Sequence, residues 1–259
     1  MGLQIMSDTR EKAFVSVIVA TRDREVFLAD LLESLSHQSF QNFEAIIVND
    51  CYKSRGKERI ADIVEAYSEK LRIKLLSNSR TIGLPLSLNR GISNSSGVIV
   101  VFTDDDCIAD KDWLLQLIKW YKYPFIGGVG GKVVPIERDA LWIPKETKCI
   151  NSVGQLCWDG SVISNFESGQ KPIFVDCLSA ANMSFRRKLI KTAGGFSYAY
   201  KGNAYRFETD LALRIKRLGF KILFNPEAVV FHRRADKGGC RVNVYEWNYW
   251  FRRNQIFLF

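Results

Sequence analysis

Phe14-Val-Ser-Val-Ile-Val-Ala20, then Thr21-Arg-Asp-Arg24, then Val26 to Ser36: this stretch decides the fold. The first seven residues are an apolar, mostly β-branched run of the length of one buried strand. The next four are a polar turn, and the third segment carries its apolar residues at helical spacing. The same unit recurs downstream. Glu44-Ala-Ile-Ile-Val48 runs into Asn49-Asp50 and precedes a mixed-charge helix expected over about Lys57 to Lys70, with Ile60, Ile63, Val64 and Tyr67 inward. Arg72 to Leu76 reads as a short strand and Leu84 to Ser93 as a helix closed by Ser95-Ser-Gly97. Val98-Ile-Val-Val-Phe102 is a further strand, and it runs into Thr103-Asp-Asp-Asp106. Alternation of strand and helix predicts an α/β fold built on a mostly parallel, doubly wound sheet flanked by helices. Ligands bind such sheets at the carboxyl ends of the strands, which here deliver Ala20-Thr21, Asn49-Asp50 and Asp104 to Asp106.

The chain has 259 residues, 47% of them hydrophobic, enough for one sizeable core. The expected organisation is a lead-in over 1–13, a catalytic domain over 14–235 and an aromatic, basic segment over 236–259. The apolar runs fall well short of the roughly 20 residues a membrane-spanning helix requires. The polar residues from Met1 to Lys12 lack the apolar stretch of a secretory signal. Six cysteines form no C-x-x-C pair, which fits reduced thiols in a cytoplasmic protein. A net charge of +9 favours anionic partners without choosing among nucleotide phosphates, an acidic membrane surface and nucleic acid.

Past Trp113 regularity fades. Glycines at 127, 128, 130 and 131 and prolines at 135 and 144 predict a loop-rich stretch to about Pro172 that shapes a substrate cleft. Order returns over Phe174 to Arg187 and Gly194-Gly-Phe196, then in a helix through Leu211, Ile215 and Leu218 that stops at Gly219. A last strand, Lys221 to Phe224, leads through Pro226 to Val229-Val-Phe-His232. The run Gly127 to Gly131 meets neither G-x-G-x-x-G, since position 133 is valine, nor the phosphate-loop pattern, since Ile126 and Val133 occupy its required positions. A Rossmann dehydrogenase and a P-loop NTPase are both disfavoured.

Asp104-Asp105-Asp106 is the strongest chemical feature. Three adjacent carboxylates repel one another unless a cation or strong donors lie close, and oxygen-rich clusters suit Mg²⁺ or Mn²⁺. Read alone, the triplet fits a solvated acidic turn or a helix cap equally well. Asp50 at a strand end is placed to accept hydrogen bonds from a nucleobase, or to shape a turn. Glu208-Thr-Asp210 opens a helix, where the dipole favours ionised carboxylates that serve either as caps or as a general base. His232, one of two histidines, suits a metal or phosphate contact as well as a structural role.

Taken together, these stretches resemble glycosyltransferase family 2, whose members have the GT-A fold. The resemblance rests on Val15 to Thr21, Gln38 to Glu44 leading to Asn49-Asp50, Asn89-Arg-Gly91, Asp104 to Asp106, Ala181 to Arg187, Gly194-Gly-Phe196, Glu208 to Arg214 and His232, in the family's order over roughly 220 residues. It implies an inverting transferase that moves a sugar from a nucleoside diphosphate donor, most often UDP, to an acceptor hydroxyl. Ala20, Thr21, Asp50, Arg90, Asp104 and Asp105 would contact the donor, and Asp106 and His232 the divalent metal. The family's base lies in a Glu-Asp pair, whose place is taken here by Phe207-Glu208. Glu208 is therefore the first candidate for the base and Asp210 the second. The absence of a Q-x-x-R-W motif points to single addition. The expected acceptor is a glycan or a lipid-linked molecule, with no nucleic-acid partner. The tail from Tyr245 to Phe259 interleaves aromatics with cations and suits peripheral contact with the inner face of the cell membrane, or packing on the domain.

Overall fold

The computed structural model describes residues 15–51, 54–136 and 152–258. Its first half is the alternation read from the sequence: β1 (Val15–Thr21), α1 (Glu25–Ser36), β2 (Phe43–Asn49), α2 (Ser54–Ala66), β3 (Ile73–Ser77), α3 (Leu84–Ser93) and β4 (Ile99–Phe102). These strands lie in the order β3-β2-β1-β4, every pair parallel, with Val15 opposite both Phe43 and Ile99. Helix α2 begins and ends a few residues before the expected span, its last turn giving way to turns closed by Lys70 N–H on the Tyr67 carbonyl.

Side chains alternate across the sheet as the pleat requires. Val15, Val17 and Val19 join Leu28, Leu31, Leu32 and Leu35 of α1 and Ile60 of α2 on one face, whereas Ile18, Ile46 and Val48 meet Leu88 and Ile92 of α3 on the other. Both faces are thus covered, which explains why the strands read as unbroken apolar runs.

The second half adds β5 (Cys107–Ala109), α4 (Trp113–Ile118), β6 (Ile126–Pro135), the hairpin β7 (Gln155–Leu156) and β8 (Val162–Ile163), and β9 (Ile173–Val175). Then come β10 (Met183–Arg186), α5 (Arg187–Thr192), α6 (Phe207–Arg217), β11 (Lys221–His232) and α7 (Val244–Ile256). The sheet continues from β4 as β10-β6-β11-β5, with β9 also on β11. Here β10 is antiparallel to both its neighbours while β6 and β11 are parallel.

The glycine run corrects the sequence expectation: it is no loop but the start of a ten-residue strand deep in the sheet. Glycine is used because its neighbours leave no room. A Cβ on Gly128 would sit 2.5 Å from the Phe185 ring, one on Gly130 would be 2.6 Å from the Asn182 carbonyl oxygen, and one on Gly131 would be 1.9 Å from that of Ala228. The expected cleft loops over 137–151, with Pro144 and Cys149, lie outside the described residues. Strand β11 passes straight through Pro226, absorbing it in a register shift against β6 between Asn225 and Val229.

Candidate active site

Strand β4 ends at Phe102 and releases the acidic triplet at the carboxyl edge of the sheet. The chain returns as β5, antiparallel to the end of β11, with Cys107 opposite His232. That pairing brings the imidazole to the carboxylates. His232 Nε2 stands 3.0 Å from Asp106 Oδ1 and 4.0 Å from Asp104 Oδ2.

Asp106 is almost fully buried and its two oxygens face different partners. Oδ2 accepts from the Ala235 N–H at 2.9 Å and from Arg24 Nη1 at 3.1 Å. Oδ1 has no aligned donor, since the imidazole beside it is too poorly directed for a hydrogen bond. Burial alone would raise this carboxyl's pKa, but the adjoining imidazole and the Arg24 guanidinium hold it down at about 2. Asp105 accepts from Arg24 Nη1 at 2.9 Å, yet burial dominates and pushes it up to about 7. Asp104 is raised too, first by burial and then by Asp106. For His232 burial acts downward, but Asp106 and Asp104 outweigh it and raise the imidazole.

Arg24, which the sequence reading passed over, organises this corner. It precedes α1, is 8% exposed, and besides the two carboxylates donates through Nε to the Lys237 carbonyl at 2.8 Å. It thereby fastens the strap that follows β11 over the triplet. The strap fits only because Gly238 and Gly239 adopt positive φ, where a Cβ would strike the Arg22 backbone or the Arg24 guanidinium. No sequence pattern announces such a contact between residues more than 200 positions apart.

A buried carboxylate oxygen without an aligned donor, beside an imidazole nitrogen and a second carboxylate, is a donor set that fits Mn²⁺ or Mg²⁺. Cys107 also reaches this point, its sulfur lying within 4.8 Å of the Asp106 and His232 ligand atoms. The sequence reading did not single it out. The other thiols described, Cys51, Cys157, Cys177 and Cys240, form no disulfide with one another.

A cavity of about 520 Å³ runs from the triplet and His232 to Glu208 and on to Trp247 of α7. Ala20 borders it and also a smaller adjoining pocket with Thr21, Asp50 and Leu84. The Asp50 carboxylate already accepts three hydrogen bonds, from Asn78 Nδ2, Ile82 N–H and Gly83 N–H at 2.7 to 2.9 Å. It shapes the loop before α3 and retains lone-pair capacity toward the pocket. Arg90 stands behind this loop instead of lining the cavity, bonded to the Ser77 carbonyl and to Asn78.

The structure separates the two candidate bases. Glu208 lines the cavity, and burial pushes its pKa up to about 7 against the pull of Arg206. Asp210 points elsewhere, paired with Arg214 one turn on at 2.6 Å. Phe207, at the family's acidic position, is a core residue: its ring packs at a tilt against Phe196 at 5.1 Å, and Phe196 meets Phe102 edge-on at 5.2 Å. This aromatic cluster pins the start of α6 to the end of β4, so Glu208 and the acidic triplet share one support.

The family model of glycosyl transferase family 2 matches residues 16–194. A glucosyl-dolichyl phosphate glucuronosyltransferase of Haloferax volcanii is 26% identical over 229 residues, covering 85% of this chain and 69% of that protein. Among solved structures, a mannosyltransferase from Pyrobaculum calidifontis in complex with GDP-Man and Mn²⁺ aligns with TM-score 0.64 at 18% identity, covering 86% of this chain and 57% of that one. TarS residues 1–349 of S. aureus in complex with UDP aligns with TM-score 0.65 at 19% identity, covering 93% and 64%. Relatives run longer than this chain, which spans as little as 18% of one of them. With the acidic triplet, its histidine and the late helix in place on this sheet, the chain belongs to glycosyl transferase family 2 and carries the GT-A fold.

Proposed function

We propose that the chain transfers a sugar from a nucleoside diphosphate donor, UDP foremost, to an acceptor hydroxyl, with divalent metal assistance and inversion at the anomeric carbon. The observation that carries this reading is the shared cavity, with the Asp104 to Asp106 cluster and His232 at one end and Glu208 at the other. Asp106 and His232, aided by Asp104, would hold Mn²⁺ or Mg²⁺, which when bound neutralises charge on the departing diphosphate. Asp105 and Asp104 would meet the ribose, and Ala20, Thr21 and Asp50 the base, while Arg90 acts only by bracing Asn78 and so Asp50. Glu208, with a pKa near the working pH, would take the acceptor proton as the hydroxyl attacks from the face opposite the leaving group. The TarS complex with UDP supports the choice of carrier, while the GDP-Man complex makes GDP the competitor.

A thermal-shift panel of UDP, GDP and dTDP with and without Mn²⁺ tests the donor site, because a ligand that binds only the folded state raises the melting temperature. Stabilisation by one nucleotide that depends on metal is expected; no response to any of them would refute the reading. Retention of configuration in the product would refute inversion.

The acceptor would be a glycan or a lipid-linked molecule. No helix among the described residues is long and apolar enough to cross a membrane. The exposed Tyr245 and Tyr249 of α7, with Arg252 beside them, instead support peripheral contact with an anionic bilayer. Pelleting with phosphatidylglycerol vesicles and not with phosphatidylcholine is expected, and pelleting with neither would sink that contact.

A further inference from the structure

We infer that Trp247 is the platform on which a pyranose ring of the acceptor lies, so that the group receiving the sugar is itself a glycoside. The inference rests on the reading of Glu208 as base and adds the class of molecule that base would serve.

Trp247 is 43% exposed and lines the same cavity as Glu208, Tyr205 and Arg206. Its indole is held in place. It stacks on Phe251 at 5.0 Å with planes 20° apart, Phe251 packs at a tilt of 36° on Tyr205 at 4.4 Å, and the Arg206 guanidinium covers Tyr205 at 4.6 Å. The ladder ends at Arg206, which caps the start of α6 two residues before Glu208. Helix α7 is anchored below it. Gln255 accepts from Arg206 Nε at 2.9 Å and donates to the Gly160 carbonyl at 2.7 Å, and the buried Asn254 donates to the Lys201 carbonyl at 2.9 Å. A half-exposed aromatic face fixed beforehand loses little conformational entropy when something stacks on it.

The surroundings select what stacks. A pyranose offers an apolar face of C–H groups ringed by hydroxyls, and this site offers an indole face ringed by polar groups. Asn203 is one of them: its Oδ1 is committed to Tyr205 N–H and Asn254 Nδ2, which leaves Nδ2 a buried donor with no partner among the described residues. Ser164 and Arg206 line the same wall. A polyisoprenyl chain requires a continuous apolar groove, and a lining that includes Arg206, Glu208 and Arg241 does not supply one.

Saturation-transfer NMR tests this on the whole chain, with methyl pyranosides of glucose, galactose, mannose and N-acetylglucosamine and with farnesyl phosphate as probes. Each is presented with and without UDP and Mn²⁺. Transfer into the ring protons of at least one glycoside is expected for the wild type and for Trp247→Phe, with a severalfold loss in Trp247→Ala. Stabilisation of Trp247→Ala by UDP and Mn²⁺ should match the wild type, showing that the variant is folded with an intact donor site. Transfer to no glycoside, transfer to farnesyl phosphate alone, or equal transfer in wild type and Trp247→Ala would overturn the inference. A wild type that shows glycoside transfer but no nucleotide response would overturn the donor reading while leaving the platform standing.

Discussion

Glu208 and Asp106 are carboxylates in one cavity, and their surroundings drive their pKa values apart, to about 7 and about 2. Groups so divided can take different tasks, one giving up and accepting a proton near neutral pH and the other staying ionised as a ligand. Glu208→Gln keeps the shape and removes the base, so turnover should fall by roughly 10²- to 10⁴-fold while donor stabilisation persists. Unchanged turnover would return the base to Asp210. Because the basic form of Glu208 is the deprotonated one, kcat/KM should rise with pH up to about 7 and then level off. A profile flat from pH 5.5 to 8 would remove that assignment. Asp106→Asn should abolish the metal-dependent part of nucleotide stabilisation; equal melting shifts with and without the substitution would sink the metal role. These carboxylates were legible in the sequence, since each stands at a strand or helix end. Arg24 and Cys107 were not. Their positions depend on the pairing of β5 with β11 and on the strap beyond it, neither of which leaves a local signature.

Helix α3 emerged with the boundaries its sequence predicts, because Gly83 and Pro85 mark its start and the following polar run its end. Strand β6 did not, because the cue that marks loops was there for packing. Glycine spacing reports a lack of room as readily as a need for positive φ, and in β6 the neighbours Phe185, Asn182 and Ala228 are far away in sequence. Gly128→Ala should therefore destabilise the fold by about 1 to 3 kcal/mol through overpacking against Phe185, measured as a lower urea midpoint with an unchanged slope. A midpoint equal to wild type would mean that the sheet relaxes around a methyl group, and the close-approach account of β6 would fail. Helix α7 was legible only as one of two alternatives, a membrane face or a packed helix, and the structure packs Asn254 and Trp250 inward while Tyr245 and Tyr249 are exposed.

At the scale of the whole molecule, the site's electrostatics should appear in the pH dependence of folding. Asp105 and Glu208 have pKa values near 7 in the fold, raised from their ordinary carboxylate range, and His232 is raised as well. Across pH 5 to 7 the folded chain therefore binds more protons at these groups than the unfolded chain does. Stability varies with pH in proportion to protons bound unfolded minus protons bound folded, so this difference makes it fall as pH rises. For the carboxyls the loss begins above their unfolded values; for the imidazole it begins above about 6.5 and ends above its raised folded value. Asp106 acts oppositely, but its contribution is complete above the ordinary carboxylate range and is constant in this window. In chelator the melting temperature should drop by several degrees between pH 5.5 and 7.5, since each ~1 kcal/mol corresponds to about 2–4 °C in a domain of this size. Glu208→Gln should flatten that slope, because its amide cannot ionise, and Mn²⁺ with nucleotide should flatten it by satisfying the carboxylates. A melting temperature that climbs over the same range in chelator would show that the cavity does not hold its acids protonated, and would take the general-base argument for Glu208 with it.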